Sequence, residues 1–383
     1  MAGEKKKDAY SRLARILIVL IVFTAISAIG FFYARNTVNQ QLAQMQEQRD
    51  EQNAERINMH NQWLIEQAEA QAQPVDESWP KPEPAGWDIV DLTTFDVKSG
   101  STETIERDTL ETSGLMLINH WHYLPSDFTD DRFENSDELV SIMTQSNADK
   151  FSIATKDRSV RLFSVAYDHL LEMLMGAKDS GLENYMIQEA YRSYEEQEAL
   201  FLKEQSKYEN KYTGEVLIEK AKETVNAPGT SEFETGLAIR IQRHKSGDSE
   251  FNKVSFSETE HFAWMYNHSW EYGWIFRFPV SGYPTAGTTD KSWKTGESKT
   301  MMVFRYVGIA PAAVMHQKDF CLEEFIEYMI QHPHIAVYKD GELKYELYRI
   351  QYNGGSATIR VPNGADAEAS MDNMGGVIVS LYY

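Results

Sequence analysis

Nineteen consecutive residues, Ile16 to Ala34, carry no charge, and Arg15 and Arg35 close the run at its two ends. At about 1.5 Å per helical residue such a segment just crosses a bilayer core of roughly 30 Å. The sequence therefore predicts one transmembrane helix over residues 16–34. Lys5, Lys6, Lys7, Arg12, Arg15 and Arg35 face only Glu4 and Asp8 in the first 35 residues, and most of the basic groups precede the apolar run. The positive-inside rule then makes residues 1–15 a cytoplasmic tail and places everything after Arg35 outside the membrane. A cleaved signal peptide is the competing reading, but the run is longer than a usual signal core and no clean small-x-small site follows it.

Beyond Arg35 the balance reverses, with 31 basic residues against 56 acidic ones. Such a body repels phosphate backbones and excludes nucleic acid as a partner class. Residues 35–73 are rich in Gln, Glu and Asn and, after Arg35, free of Gly and Pro. An apolar stripe at Val38, Leu42 and Met45 fades into a polar stretch before Ile57 and Leu64 restore it. This pattern predicts a solvated helical stalk and leaves a stalk-mediated dimer open. Pro74, Pro80, Pro82 and Pro84 stiffen a linker over residues 74–86, and a globular part begins at Trp87. With 42% apolar and 12% aromatic residues the chain can bury a sizeable core. Its one cysteine, Cys321, excludes an intrachain disulfide and reads as a buried apolar thiol in a helical run.

Helical spacing covers Ser136 to Gln145, Val160 to Lys178 and Ser193 to Ser206, while Gly114 to Asn119 reads as a strand. The mixture predicts an α+β domain over 87–334. Short strands and turns follow over 335–383, at Ile335–Tyr338, Tyr345–Ile350, Ala357–Val361 and Gly376–Leu381, with Lys339-Asp-Gly-Glu342 as a hairpin turn. They predict a small β module in which nothing signals chemistry.

Within the larger domain, Tyr191-Arg-Ser-Tyr-Glu-Glu-Gln197 and Ala227-Pro-Gly-Thr-Ser-Glu-Phe-Glu-Thr-Gly-Leu-Ala-Ile-Arg240 resemble two signature stretches of the VanY-type D-alanyl-D-alanine carboxypeptidases. Tyr272-Gly-Trp-Ile-Phe-Arg-Phe-Pro279 and Phe304-Arg-Tyr-Val-Gly308 resemble two more, in the same order. The resemblance implies the Hedgehog/DD-peptidase fold of a zinc enzyme that trims the stem peptide of the bacterial cell wall. In that family Ser-x-His-x-x-Gly-x-Ala-x-Asp supplies two metal ligands, and Glu-Pro-Trp-His supplies the base and the last ligand. Laid over this sequence, those four positions are Phe233, Arg240, Thr300 and Val303. Phe and Val have no donor atom, Thr cannot serve as a carboxylate base, and Arg sets a fixed positive charge against a divalent cation. No metal and no other cofactor is therefore expected. The matching flanks on both sides of Phe233 and Val303 leave no room for a slipped register. A relocated site drawing on His244, Asp248, His261, His268, Glu232 or Glu234 is the alternative. His261 and His268, however, stand about 10 Å apart on one helix, too far to share an ion, and the His120-x-His122 pair reads as ordinary packing.

By the same resemblance Arg192 and Gln197 fall on substrate-contacting positions and Ser231 on one that lines the site, a purely structural hydrogen-bonding role for Arg192 at its helix start being the alternative, and Arg240 would offer a guanidinium where a metal ligand stood. That guanidinium either receives a peptide carboxylate or pairs with Glu232 or Glu234. The expectation is an extracytoplasmic pseudopeptidase, anchored in the cell membrane by one helix, that binds stem peptides or a wall-processing protein. An active carboxypeptidase with an unorthodox site and a scaffold with a vestigial groove are the rivals.

Overall fold

The computed structural model describes residues 51–66, 79–128, 130–133 and 138–383. The predicted membrane run and most of the predicted stalk lie outside these residues. Among the described residues no helix is long and apolar enough to cross a membrane. Residues 55–383 make one compact unit.

Among the described residues fourteen strands run through the unit in chain order. They are β1 (Trp87–Asp91), β2 (Gly100–Ile105), β3 (Leu139–Ser141), β4 (Ala154–Thr155), β5 (Arg161–Phe163), β6 (Tyr185–Glu189), β7 (Ala238–Arg243), β8 (Trp274–Phe276), β9 (Val303–Tyr306), β10 (His334–Lys339), β11 (Glu342–Gln351), β12 (Ala357–Pro362), β13 (Asp366–Met371) and β14 (Gly376–Tyr382). The sheet that carries the site has the order β4-β6-β7-β9-β8; β4 runs parallel to β6 and the other pairs are antiparallel. Helix Ser164–Asp179 buries Ala166, Leu170, Met173, Leu174 and Ala177, the spacing of a single apolar face. That stripe and β7's Ile239 and Ile241 belong to one core.

A second five-stranded sheet, β1-β10-β11-β14-β13, gathers the C-terminal strands but takes its first strand from the start of the domain. β10 and β11 are joined at Asp340 and Gly341, whose φ values of 53° and 78° suit the two-residue hairpin read from the sequence. β13, Asp-Ala-Glu-Ala-Ser-Met, alternates polar with small or flexible apolar residues but contains no β-branched or aromatic side chain; pairing with β14 supplies what its own propensity lacks.

Three expectations are corrected. The helix expected over Ser136 to Gln145 starts only at Ile142, after the strand Leu139–Ser141. Gly114 to Asn119 is buried but joins no ladder. Its backbone is satisfied by side chains instead: Arg305 Nη2 donates to the carbonyls of Gly114 (2.7 Å) and Met116 (3.0 Å), and Ser370 Oγ accepts from Leu115 N–H at 2.8 Å. Ile57 and Leu64, which the sequence placed on a stalk stripe, are 8% and 2% exposed and pack into a core cluster with Leu115, Phe325 and Ile335. The end of the stalk is therefore part of the fold. Leu64→Ala should cost about 2–5 kcal/mol by the lost burial and the cavity left, read by denaturant unfolding; a change below about 1 kcal/mol would mean the helix is not docked in solution.

Candidate functional site

The site begins at an irregularity. A register shift between Ile187 and Glu189 in β6 re-aims Glu189, which faces Arg240 on β7, and Arg240 in turn faces Val303 on β9. Glu189, Arg240 and Val303 thus form a row across three neighbouring strands. Phe233 reaches the same place from the 3-10 turn Glu232–Thr235. Glu234 holds that turn by accepting from the N–H groups of Gly229 (3.0 Å) and Ser231 (3.1 Å). Gly236 ends it at φ 65°, where a Cβ would meet the Phe163 ring at 2.6 Å, so no larger residue fits.

Phe233 and Val303, 3% and 0% exposed, pack with Ala238, Phe278 and Met301 in one apolar cluster. The guanidinium carbons of Arg192 and Arg240 lie 5.0 and 5.5 Å from the centre of the Phe233 ring. Arg192 bonds Glu189 and the Gln197 side-chain oxygen, while Arg240 Nη1 stands 3.2 Å from the other Glu189 oxygen. Gln197 is fixed from behind by donating to the Asn226 carbonyl at 2.5 Å. The Arg192 N–H donates to the Phe233 carbonyl at 3.0 Å, tying the first signature stretch to the second. Arg192, Gln197 and Arg240 are thereby brought together. Ser231 joins them through the turn and is itself buried.

Two guanidiniums share the Glu189 carboxylate here, and Glu234 and Glu196 act on Arg192 from nearby. Burial, and then the neighbouring Arg240, push Arg192 down to about 10, and burial also lowers Arg240. A group at about 10 is still protonated at neutral pH, so Arg192 stays charged there. The Arg240 side chain is 40% exposed and Glu189 28%, so the cluster opens to solvent. The pairing of Arg240 with Glu232 or Glu234, one expectation from the sequence, gives way to pairing with Glu189. Glu232 is committed elsewhere, for a physical reason visible beneath the site.

Behind the 232–235 turn lies a closed ionic network. Arg277 Nε donates to Glu232 Oε1 at 2.5 Å, and its two terminal nitrogens donate to Glu323 at 2.9 and 2.7 Å. Arg305 bonds the second Glu232 oxygen, and Asn119 Nδ2 donates to Glu323 at 2.9 Å. Both arginines are fully buried, and Glu232 and Glu323 are 3% and 4% exposed. Burial alone would push the Glu323 carboxyl up, but Arg277 outweighs it and holds it low.

The side chains considered for a relocated metal are dispersed. His261 Nε2 meets the Glu183 carbonyl at 2.8 Å, and His268 Nδ1 meets Glu271 at 2.9 Å. Asp248 caps a short helix by accepting from Phe251 N–H at 3.0 Å, and His122 Nδ1 pairs with Asn119 at 2.8 Å. Among the described residues no three His, Cys, Asp or Glu side chains converge on a point.

Comparison with known proteins bears on what this arrangement descends from. The profile of the VanY D-alanyl-D-alanine carboxypeptidase family matches residues 159–295, which contain Glu189, Arg192, Phe233 and Arg240. YodJ of Bacillus subtilis (strain 168), which carries a carboxypeptidase assignment, is 31% identical over 213 residues, covering 56% of this chain and 67% of that one. This chain belongs to the VanY family. A D-alanyl-D-alanine carboxypeptidase of Enterococcus faecium is 28% identical over 211 residues, and the match spans 55% of this chain but only 58% of that enzyme's length. The D,D-dipeptidase VanXYg, solved with a D-Ala-D-Ala phosphinate analog, superposes with a TM-score of 0.54 over 75% of this chain and all of its own, at 20% identity, which speaks to the fold alone.

Against the zinc that the family implies, the residues present do not fit. Phe233, Arg240 and Val303, where the resemblance places three ligands, do lie together. The space between them is filled by an apolar contact and a guanidinium rather than by lone pairs. Thr300, the position of the base, is exposed in the loop before β9. Sequence reasoning missed Glu189, whose only signal was its place two residues before the Tyr191-Arg192 signature.

Proposed function

We propose that this VanY-family protein is held outside the cell membrane by its 16–34 segment and binds the free carboxylate end of a cell-wall stem peptide without cutting it. The observation that carries this reading is the pair Arg192 and Arg240, stacked over Phe233 and bridged by Glu189. An incoming carboxylate meets a preset pair of guanidiniums, of which Arg240 is 40% exposed, and such charge-assisted contacts are stronger than neutral ones. Hydrolysis is excluded from the reading by chemistry: none of Phe233, Arg240, Thr300 and Val303 supplies a carboxylate base or a lone pair for a metal-bound water.

Titration of the full chain with a pentapeptide ending in D-Ala-D-Ala should give a Kd on the order of 10–1000 μM, because few other contacts support the ion pair. Amidating the peptide terminus, or Arg240→Ala, should weaken binding about tenfold or more. Glu189→Ala should act the other way, tightening it roughly threefold to tenfold by releasing both guanidiniums. Absence of saturable binding at millimolar peptide would hand the lead to the scaffold reading, and release of D-alanine would restore the enzyme reading. The anchor is tested separately. The full chain should sediment with membranes and need detergent, whereas residues 36–383 should stay in the aqueous phase. A protein found cleaved after Ala34 in cells would replace the anchor with a signal peptide. A start at Pro74 is unsuitable, since it removes Ile57 and Leu64 from the core.

A further inference from the structure

Strand β9 has a second face that the groove does not use. Side chains alternate along a strand, so Val303 and Arg305 turn toward the groove and the ionic network beneath it, while Phe304 and Tyr306 turn into the main core on the other side. Tyr306 is fully buried, and its hydroxyl has no hydrogen-bond partner among the described residues. Leaving a buried hydroxyl unpaired is costly, and most such groups in folded proteins are bonded. The ring itself is firmly held. His169 lies flat against it at 5.0 Å between centroids, and Trp274 meets it edge-on at 5.7 Å. Gly273 makes room for it, since a Cβ there would stand 2.8 Å from the Tyr306 ring.

Three acids from two parts of the fold stand around that hydroxyl. Asp168 and Glu172, four residues apart, share one side of helix Ser164–Asp179, and Glu368 lies on β13. Tyr382 places Glu368 by donating its hydroxyl to Oε2 at 2.5 Å, and a Cβ on Gly308 would stand 3.9 Å from the same oxygen. Burial, and after it Glu368, Glu172 and Asp168, push the Tyr306 phenol up, so all three carboxylates bear on it. Among the described residues no lysine or arginine pairs with any of the three. Glu172 has His169 Nδ1 at 3.4 Å, and that nitrogen makes no hydrogen bond. We propose that this cluster binds a primary ammonium group on a flexible alkyl chain, whose N–H groups bond the Tyr306 hydroxyl and the carboxylates of Glu172 and Glu368. The spare lone pairs of a hydroxyl call for an N–H donor, which a quaternary ammonium lacks. Acceptors from two elements suit an ammonium, with its three rotatable donors, better than the planar fork of a guanidinium. A bare metal ion does not fit, because among the described residues no three His, Cys, Asp or Glu side chains converge closely enough to hold one. The cluster lies across β9 from the peptide groove and does not depend on it.

Cadaverine, a diamine with the reach of a lysine side chain, tests the site on the full chain in detergent. Titration calorimetry should show saturable binding, and pentan-1-ol, which has the same chain without the charge, should show none. Tyr306→Phe should keep or raise the melting temperature of the ligand-free protein, because it removes only the unpaired hydroxyl. The same variant should nevertheless bind cadaverine about tenfold more weakly or worse, and Glu368→Gln should lose about as much. Nα-acetyl-L-lysine methylamide separates two sources of the ammonium: it should compete if the site takes a lysine side chain of a protein, and cadaverine alone should bind if the site takes a free diamine. Absence of saturable binding of both probes at millimolar concentration would overturn the proposal and leave the hydroxyl to a water molecule. Equal cadaverine affinity in the native chain and in Tyr306→Phe would overturn it as well. Because the first of these outcomes is read on the native chain, a misfolded variant does not protect the idea.

Discussion

Replacing Arg277 by methionine should be the most damaging single change in the fold, costing about 3–5 kcal/mol of unfolding free energy. Its guanidinium is fully buried and makes one bond to Glu232 and two to Glu323, themselves 3% and 4% exposed. Removing it leaves two carboxylates in a low-dielectric interior: Glu232 keeps Arg305, but Glu323 keeps no cation, with the Asn119 amide and a backbone N–H as its neutral donors. The second replacement, Glu323→Leu, should return part of the loss, since a buried ion pair exchanged for apolar groups of similar volume is often close to neutral while an orphaned charge is not. Urea unfolding of the two single variants and the double variant measures the coupling. If Arg277→Met alone cost less than about 1 kcal/mol, the network would not be closed in solution. Glu232 is also the residue before Phe233, so the same variant should loosen the turn and weaken peptide binding beyond what its distance from the groove implies.

The parts of this chain that sequence could disclose are those governed by local chemistry. The capping residue Ser193, the apolar face of 164–179 and the Asp340-Gly341 turn each follow from a short run of residues, and the four signature stretches fixed the family. What could not be read depends on distant partners. Gly114 to Asn119 has the composition of a strand, but its carbonyls are claimed by Arg305, about 190 residues later. β13 has the composition of a loop and is made a strand by β14. Ile57 and Leu64 have stalk spacing and were assigned to it; only the core cluster they enter, with residues from Leu115 to Ile378, shows that they belong to the domain.

The site divides in the same way. Arg192, Gln197 and Arg240 were legible as candidates because each falls on a family position, and the structure places them within one cluster. Their charge state was not legible. Whether Arg240 is free, or spent on Glu232 or Glu234, depends on who holds those acids. The answer lies with Arg277 and Arg305, in segments 37 and 65 residues further along the chain, and with a bulge in β6 that turns Glu189 toward the guanidiniums. Local sequence carries no information about a strand irregularity of that kind.

The closeness of Phe233, Arg240 and Val303 leads to the prediction with the largest gain of function. If Phe233, Arg240 and Val303 stand at one point because the ligand-bearing geometry survived the loss of the ligands, then Phe233→His, Arg240→Asp and Val303→His together should create a zinc site in a protein that has none of the donors. Two imidazoles and a carboxylate form a sufficient three-ligand set, with the fourth position left to water. Without metal the triple variant should be less stable than the native chain, because it buries polar groups in the Phe278–Ala238 cluster and sets an aspartate beside Glu189. With zinc it should recover: at a free concentration a hundred times Kd, one site adds about 2.7 kcal/mol. The native chain should gain nothing from zinc and lose nothing to a chelator, since Phe233 and Val303 present only carbon and Arg240 a fixed cation. Unfolding curves with zinc and with chelator, together with metal analysis of the dialysed protein, read both outcomes. A folded triple variant that takes up no zinc would show that the three side chains do not converge as the strand register of β7 and β9 requires, and the descent of this groove from a metal site would have to be abandoned. One zinc per chain would instead show that three side chains, and no rearrangement of the backbone, separate this protein's groove from a metal centre.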